Sequence, residues 1–254
     1  MSVVIDEADL ERRFGGLRRL YGEAGYARVR AARIAVVGLG GVGSWTVEAL
    51  ARSGVAELTL IDLDHVAESN VNRQVQALGS TLGMAKAEAL RQRIADIHPA
   101  CIVHAVEEFA TPANWPALLP TPVDAVVDAC DQSYAKLALA AWALEQRIAF
   151  VSAGAAGGKQ AAQRVEVADL SDVTHDPLLA SLRQRLRKQG APRQGRIGVA
   201  CVFSRENVRA PADAACELDA GDGSLNCHGY GSSVMVTATF GFVAAGEVLR
   251  QCIE

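Results

Sequence analysis

The stretch Arg33–Gly43, R-I-A-V-V-G-L-G-G-V-G, restricts the fold of this chain more than any other segment. Its first half is a short apolar run without polar alternation, which predicts a parallel strand buried on both faces. The glycines then allow a tight turn, and the sequence from about Gly41 to Ser53 predicts a helix. Strand, glycine turn and helix, in that order, form the context in which G-x-G-x-x-G cradles a phosphate. The backbone can close on the ligand, and free N–H groups at the helix N-terminus carry partial positive charge. Gly38, Gly40, Gly41 and Gly43 are therefore candidate nucleotide-binding residues. The motif alone does not say which nucleotide.

The rhythm set by this unit continues. Glu57–Asp62 predicts a second strand, Met84–Ile97 a helix, Cys101–Val106 a third strand and Asp124–Asp128 a fourth. Ser133–Gln146 predicts another helix and Ala149–Ser152 a fifth strand. Strands and helices alternating at this spacing define an α/β fold, a Rossmann-like, mostly parallel sheet with helices on both faces. After Gly154 the alternation stops. Gln163–Val167 reads as a strand of a different kind, and residues 171–210 are polar and basic. These are C-terminal additions to the sheet. The expected organisation is one domain over 1–254, with a helical arm at 1–30 broken at Gly15-Gly16. A nucleotide-binding core follows at 31–160, then a C-terminal extension at 161–254 with a basic segment at 181–210.

Half of the 254 residues are hydrophobic, which excludes a disordered chain and suffices for a sizeable core. The six cysteines form no C-x-x-C pair, which argues against structural zinc. The start of the chain lacks a basic segment leading into an apolar stretch, so the cysteines read as reduced and the location as cytoplasmic. Residues 229–246 carry no charge over 18 positions, just the length of a membrane span. Four glycines, two serines and two threonines within them favour a buried or interface helix over membrane contact.

Asp62 lies 24 residues after Gly38 at the end of the second strand, near the distance for a carboxylate gripping ribose hydroxyls. Asp64 follows. Asn70, Asn72, Arg73 and Gln74 lie in a loop or turn, and Lys86 stands alone at the start of a helix. D-A-C-D closes the fourth strand with Asp128 and Asp131. The C-termini of the strands form the ligand crevice in such a sheet, so these groups can converge there. An NAD-dependent oxidoreductase accounts for the glycines and Asp62 but leaves Arg73, Lys86 and Asp131 without a task. Nucleotidyl transfer uses all of them, with cations on the phosphates and a carboxylate, Asp131, for magnesium.

On these residues the chain resembles the ThiF/MoeB/ubiquitin-activating-enzyme superfamily. The motifs are G-L-G-G-V-G-S at Gly38–Ser44, I-D-L-D at Ile61–Asp64, N-V-N-R-Q at Asn70–Gln74, Lys86 and D-x-x-D at Asp128–Asp131. Within it the chain is most similar to the tRNA threonylcarbamoyladenosine dehydratases, through R-R-F-G-G-L-R-R-L-Y-G at Arg12–Gly22, A-G-A-A-G-G at Ala153–Gly158, G-V-A-C-V-F-S at Gly198–Ser204 and V-T-A-T-F-G-F-V at Val236–Val243. The resemblance implies ATP-dependent adenylation of a carboxylate, with Asp62 on the ribose, Arg73 and Lys86 on the triphosphate and Asp131 on magnesium. It also implies a homodimer in which Arg13 or Arg12 of one subunit reaches the other's phosphates. The substrate it implies is threonylcarbamoyladenosine in tRNA, dehydrated by cyclisation. A cysteine desulfurase and its sulfur-acceptor protein are the partners it suggests. Members that activate ubiquitin-like or sulfur-carrier proteins carry zinc-binding C-x-x-C pairs, absent here.

The net charge of -4 conceals an uneven distribution. Residues 181–210 hold eight Lys and Arg against one Glu, among them Arg183, Arg185, Arg187, Lys188, Arg193 and Arg196. Such a run is either a solvated face or a phosphate-backbone site, and the resemblance favours tRNA. Cys227 adjoins His228 and is either a loop residue or a catalytic thiol; Cys130 and Cys201 read as packing, and His175 as a turn residue or substrate contact.

Overall fold

The computed structural model describes residues 8–209 and 230–254; Cys227 and His228 lie outside them. The six expected strands and a further one at Ala200–Ser204 form one seven-stranded sheet: β1 (Arg33–Val37), β2 (Glu57–Ile61), β3 (Ile102–Val106), β4 (Ala125–Asp128), β5 (Ala149–Ala153), β6 (Val165–Asp169) and β7 (Ala200–Ser204). Their order is β3-β2-β1-β4-β5-β7-β6. Neighbours run parallel except β6, which pairs antiparallel with β7. That edge strand is the one the sequence marked as different.

The two faces of β1 show how the layers form. Successive side chains of a strand point to opposite faces. Ile34 and Val36 pack with Val47 and Leu50 of α3 (Gly43–Arg52) and Leu90 of α4 (Lys86–Ile97). Ala35 and Val37 pack with Leu139 of α5 (Ser133–Gln146) and Leu179 of α6 (Pro177–Lys188). With both faces covered, the strands need no polar alternation.

The helices follow the sequence reading, with one boundary moved. After α1 (Leu10–Phe14), α2 runs from Gly16 to Ala31, filling the rest of the expected helical arm, with a kink at Gly22. Its second half buries Tyr26 and Val29, a tertiary contact that local pattern does not reveal. α4 starts at Lys86 rather than Met84. The uncharged stretch lies largely in α7 (Val234–Ile253), which buries Val236, Phe240, Ala244 and Val248 in the first core. Among the described residues no helix is long and apolar enough to cross a membrane.

The glycine turn has steric reasons for two of its members. Gly38 has φ +85°, and a Cβ there would lie 2.8 Å from Cys130 N. A Cβ on Gly43 would sit 1.8 Å from Gly38 O, so only glycine lets α3 start this close to β1.

Candidate active site

At the carboxyl ends of β1, β2, β4 and β5 lies a cleft of about 320 Å³. It straddles the point where the strand order reverses between β1 and β4, the expected ligand position in an open α/β sheet. Gly38, Gly40, Asp62, Arg73, Lys86 and Asp131 all line it, as do Gly41, Asp64 and Asn70. A Cβ on Gly40 would meet open space, so the absent side chain leaves room for something in the cleft rather than for protein.

Asp62, at the end of β2, is nearly buried. Its Oδ2 accepts from Leu39 N at 2.6 Å and its Oδ1 from Asp64 N at 2.9 Å. These bonds orient the carboxylate while leaving lone pairs for a diol. Burial raises its pKa above the usual carboxylate value, against the opposing pull of Lys86. Lys86 is the first residue of α4 and is itself buried. Its Nζ donates to Asp64 Oδ2 at 2.7 Å.

The Asn70–Gln74 loop is built around Arg73. Asn70 Oδ1 accepts from Ala67 N at 3.1 Å and closes a 3-10 turn. Arg73 Nη1 donates to Ser69 O at 2.6 Å and to Asn72 Oδ1 at 3.1 Å. Asn72 in turn donates to Ser232 O at 2.9 Å, just before α7. The Arg73 carbonyl accepts from Trp45 Nε1 at 2.9 Å. The guanidinium is thus held at the cleft wall, and Asn72 braces it without lining the cleft.

Four expected site residues, Asn72, Asp128, Gly43 and Arg13, do not line this cleft, which for Arg13 is compatible with a role on a partner subunit. Asp128 does not reach the cleft: it is fully buried and its carboxylate is engaged by Lys136 at 2.8 Å and Ser152 at 2.6 Å. The two aspartates of D-x-x-D therefore have different jobs, a correction to the sequence expectation, which placed both on the ligand. Arg13 lies in a separate hollow, where its guanidinium donates to Asp96 O at 3.0 Å and Ile97 O at 2.7 Å at the end of α4. Gly43 lies behind the turn rather than on its surface.

The sequence reading missed part of the cleft wall. Glu108, Phe109 and Ala110 follow β3, and Tyr230 and Thr237 come from the C-terminal part. The first three were findable, since every strand end on that side of the sheet contributes to the crevice. Tyr230 and Thr237 depend on how α7 docks, which no local pattern signals.

The basic segment divides. Arg183 donates to Leu170 O and Val173 O at 3.1 and 2.8 Å, a structural task. Arg187 Nε donates to Pro192 O at 3.3 Å. Arg205 pairs with Glu166 at 2.8 Å. Arg185, Lys188, Arg193 and Arg196 are exposed. α6 starts at the cleft with Pro177 and Leu178 and carries Arg185, Arg187 and Lys188 in its last turn. Twelve helical residues rise ~18 Å, so the exposed basic end lies about that far along the helix.

Cys130 lines the cleft, but burial pushes its thiol pKa well above the ordinary value, with the Asp128 charge adding to this. Cys201 is buried in β7, where burial likewise raises its thiol. Burial thus disfavours the thiolate at both positions. His175 has φ +59° and sits just before the Asp176 cap of α6, a turn position.

A nucleotide cleft framed by a glycine turn, two cations and a carboxylate that no described residue engages defines an adenylate-forming class of α/β protein, and residues 13–253 match the ThiF family, to which this chain belongs. The tRNA threonylcarbamoyladenosine dehydratase of Escherichia coli is 43% identical over 99% of this chain and 97% of its own length. That of Haemophilus influenzae is 40% identical over 96% and 94%. The solved structure of the E. coli enzyme in complex with ATP superposes with a TM-score of 0.85 at 41% identity, covering 98% of this chain and 97% of that one. A complex of the same enzyme with AMP superposes at 0.86.

Proposed function

We propose that this protein binds ATP and uses it to dehydrate threonylcarbamoyladenosine in tRNA, by cyclisation through an adenylated carboxylate. The observation that carries the reading is the gathering of Asp62, Arg73, Lys86 and Asp131 around one cleft in a chain similar, end to end, to tRNA threonylcarbamoyladenosine dehydratases.

The threonyl carboxylate attacks the α-phosphorus of ATP and pyrophosphate leaves. The carbamoyl group then attacks the acyl carbon of the mixed anhydride, AMP departs, and the ring closes with net loss of water. Attack within one molecule needs little beyond positioning, since effective molarities of oriented groups reach ~10⁵ M or more. Asp62 grips the ribose. The glycine turn and the N-terminus of α3 receive phosphate oxygens. Arg73 and Lys86 steady negative charge as it builds on the transferring phosphoryl group.

Magnesium fits the donor set. Asp131 lines the cleft and its carboxylate accepts no hydrogen bond from the described residues. Among the described residues no cluster of three or more His, Cys, Asp or Glu could hold a metal alone. Magnesium bound through one carboxylate and substrate phosphates is its usual mode in nucleotide sites. When bound, it neutralises phosphate charge.

In this reading the whole chain is one adenylation domain acting in the cytoplasm as a homodimer. Of the two candidate arginines, Arg12 of the partner subunit is better suited to reach the phosphates, because Arg13 is spent on the end of α4. The tRNA backbone lies along the exposed cations Arg185, Lys188, Arg193 and Arg196. The resemblance extends the partners to a cysteine desulfurase and its sulfur acceptor.

The decisive test is AMP release from ATP with tRNA that does or does not bear the threonylcarbamoyl mark. Release that ignores the mark overturns the substrate. Tight binding of NADH and none of ATP overturns the chemistry.

A further inference from the structure

Lys136 is the largest side chain buried without exposure, and the adenylation chemistry gives it no task. Asp128, the last residue of β4, stands in register with Ser152 of β5. Lys136, in the first turn of α5, donates Nζ to Asp128 Oδ2 at 2.8 Å and to Ser152 Oγ at 3.3 Å. Ser152 Oγ donates to the same Oδ2 at 2.6 Å. The other oxygen, Oδ1, turns back along the chain and accepts from Cys130 N at 3.3 Å and from the Cys130 thiol at 3.0 Å.

Stability does not account for this cluster. Removing two charges from water costs several kcal/mol each, and apolar residues of similar volume often do as well in their place. What an apolar pair cannot do is shape the backbone. Asp128 Oδ1 ties down the residue two positions on, an Asx turn that sets the path of Ala129, Cys130 and Asp131. That turn abuts the glycine turn so closely that a Cβ on Gly38 would lie 2.8 Å from Cys130 N. Asp131 enters the cleft from the end of it.

We infer that Lys136 is a positioning residue: by holding Asp128 it fixes the turn that presents Asp131, while Asp128 itself holds no metal. The inference rests on the reading that the cleft takes ATP with magnesium. Without the ammonium, Asp128 would be a buried charge without a counter-ion, held only by Ser152 and Cys130. It would draw a proton or water, and the turn would loosen.

The test is calorimetric titration of the full-length protein with ATP, without Mg²⁺ and at a series of Mg²⁺ concentrations, alongside thermal melting. In Lys136→Met the Mg²⁺ needed to strengthen ATP binding half-maximally rises on the order of 10–100-fold, the range for residues that orient metal ligands. Mg²⁺-free ATP affinity stays within about twofold of wild type. Adding Asp128→Asn to Lys136→Met removes the stranded charge and recovers most of the Mg²⁺ response. Ser152→Ala shifts it in the same direction by less. A Lys136→Met protein that melts lower yet keeps the wild-type Mg²⁺ requirement overturns the inference, because the cluster is then only structural. If that variant does not fold, an unchanged requirement in Ser152→Ala overturns it equally. Wild-type ATP binding indifferent to Mg²⁺ overturns the underlying metal reading and the inference with it. That outcome is visible before any variant is made.

Discussion

Lys86 Nζ donates to Asp64 Oδ2 at 2.7 Å, and the two partners differ sharply in exposure, with 7% of the lysine side chain and 54% of the aspartate side chain accessible. The ammonium is thus sunk at the start of α4 while its counter-ion faces the open side of the cleft. A cation there opposes the helix dipole, so the position is poor for stability. It is good for catalysis, because a buried ammonium acts in a lower dielectric. Lys86→Met should lower kcat for AMP release on the order of 10²–10³-fold, the usual loss when one electrostatic donor is removed. Its melting temperature should hold or rise. Arg73→Ala and Asp131→Ala should also abolish turnover with the fold intact, as judged by circular dichroism. Near-normal turnover in any of the three removes that residue from the site.

Much of this site is legible in the sequence because its residues come from strand ends. Gly38, Asp62 and Asp131 each follow an apolar run, and a doubly wound sheet brings those ends together whatever the loops do. Asp128 misleads for the same reason. It occupies a strand end, but its orientation depends on Lys136, eight residues on, and Ser152, on the neighbouring strand. Nothing local separates a carboxylate spent on a buried lysine from one free in the cleft. The basic run misleads in part likewise. Arg183 and Arg205 are engaged by protein groups that only the tertiary fold brings near.

The exposed end of α6 predicts a binding defect separable from ATP chemistry. Arg185, Lys188 and Arg193 face solvent. The combined Arg185→Ala, Lys188→Ala and Arg193→Ala variant should bind tRNA more weakly regardless of the threonylcarbamoyl mark. Each phosphate that the variant no longer neutralises reduces the slope of log affinity against log salt by about 0.7–0.9. Filter binding across a salt series measures that slope, and calorimetry should show ATP affinity unchanged. An unchanged salt slope would move the tRNA off this helix.

His98 gives the fold a defined acid sensitivity. It is 1% exposed, its ring lies 4.8 Å from that of Phe14, and Arg30 Nη1 approaches its Nε2 at 3.0 Å. Burial, and then the Arg30 charge, hold its pKa down from 6.5 to about 4. The unfolded chain takes up the proton at the higher pH and the folded one only at the lower. Stability is therefore intact above about 6.5 and is lost as pH falls toward 4. The loss is on the order of 3 kcal/mol at most. Melting temperatures taken from pH 7 to pH 4 should fall more steeply in wild type than in His98→Gln. Equal slopes would place the acid sensitivity elsewhere.

Two glycines of α7 should respond oppositely to the same substitution. Gly241 faces α3: a Cβ there would lie 2.6 Å from Val42 O, 2.7 Å from Trp45 Cβ and 2.9 Å from Thr46 N. Thr46 Oγ1 already donates to Gly241 O at 3.2 Å, so the two helices are locked at this crossing. Two of those neighbours are backbone atoms and cannot step aside without moving a helix. Gly241→Ala should therefore cost about 1–3 kcal/mol, as overpacking does. Because α3 begins at the glycine turn, the displacement should also weaken ATP binding. Gly246 lies further along the same helix on the solvent side, and a Cβ there meets nothing within 4 Å. Gly246→Ala gains helix propensity and should stabilise by about 0.5–1 kcal/mol without touching ATP affinity. Chemical denaturation of both variants reads the signs directly. A stabilising Gly241→Ala would mean that α3 and α7 are not packed this closely.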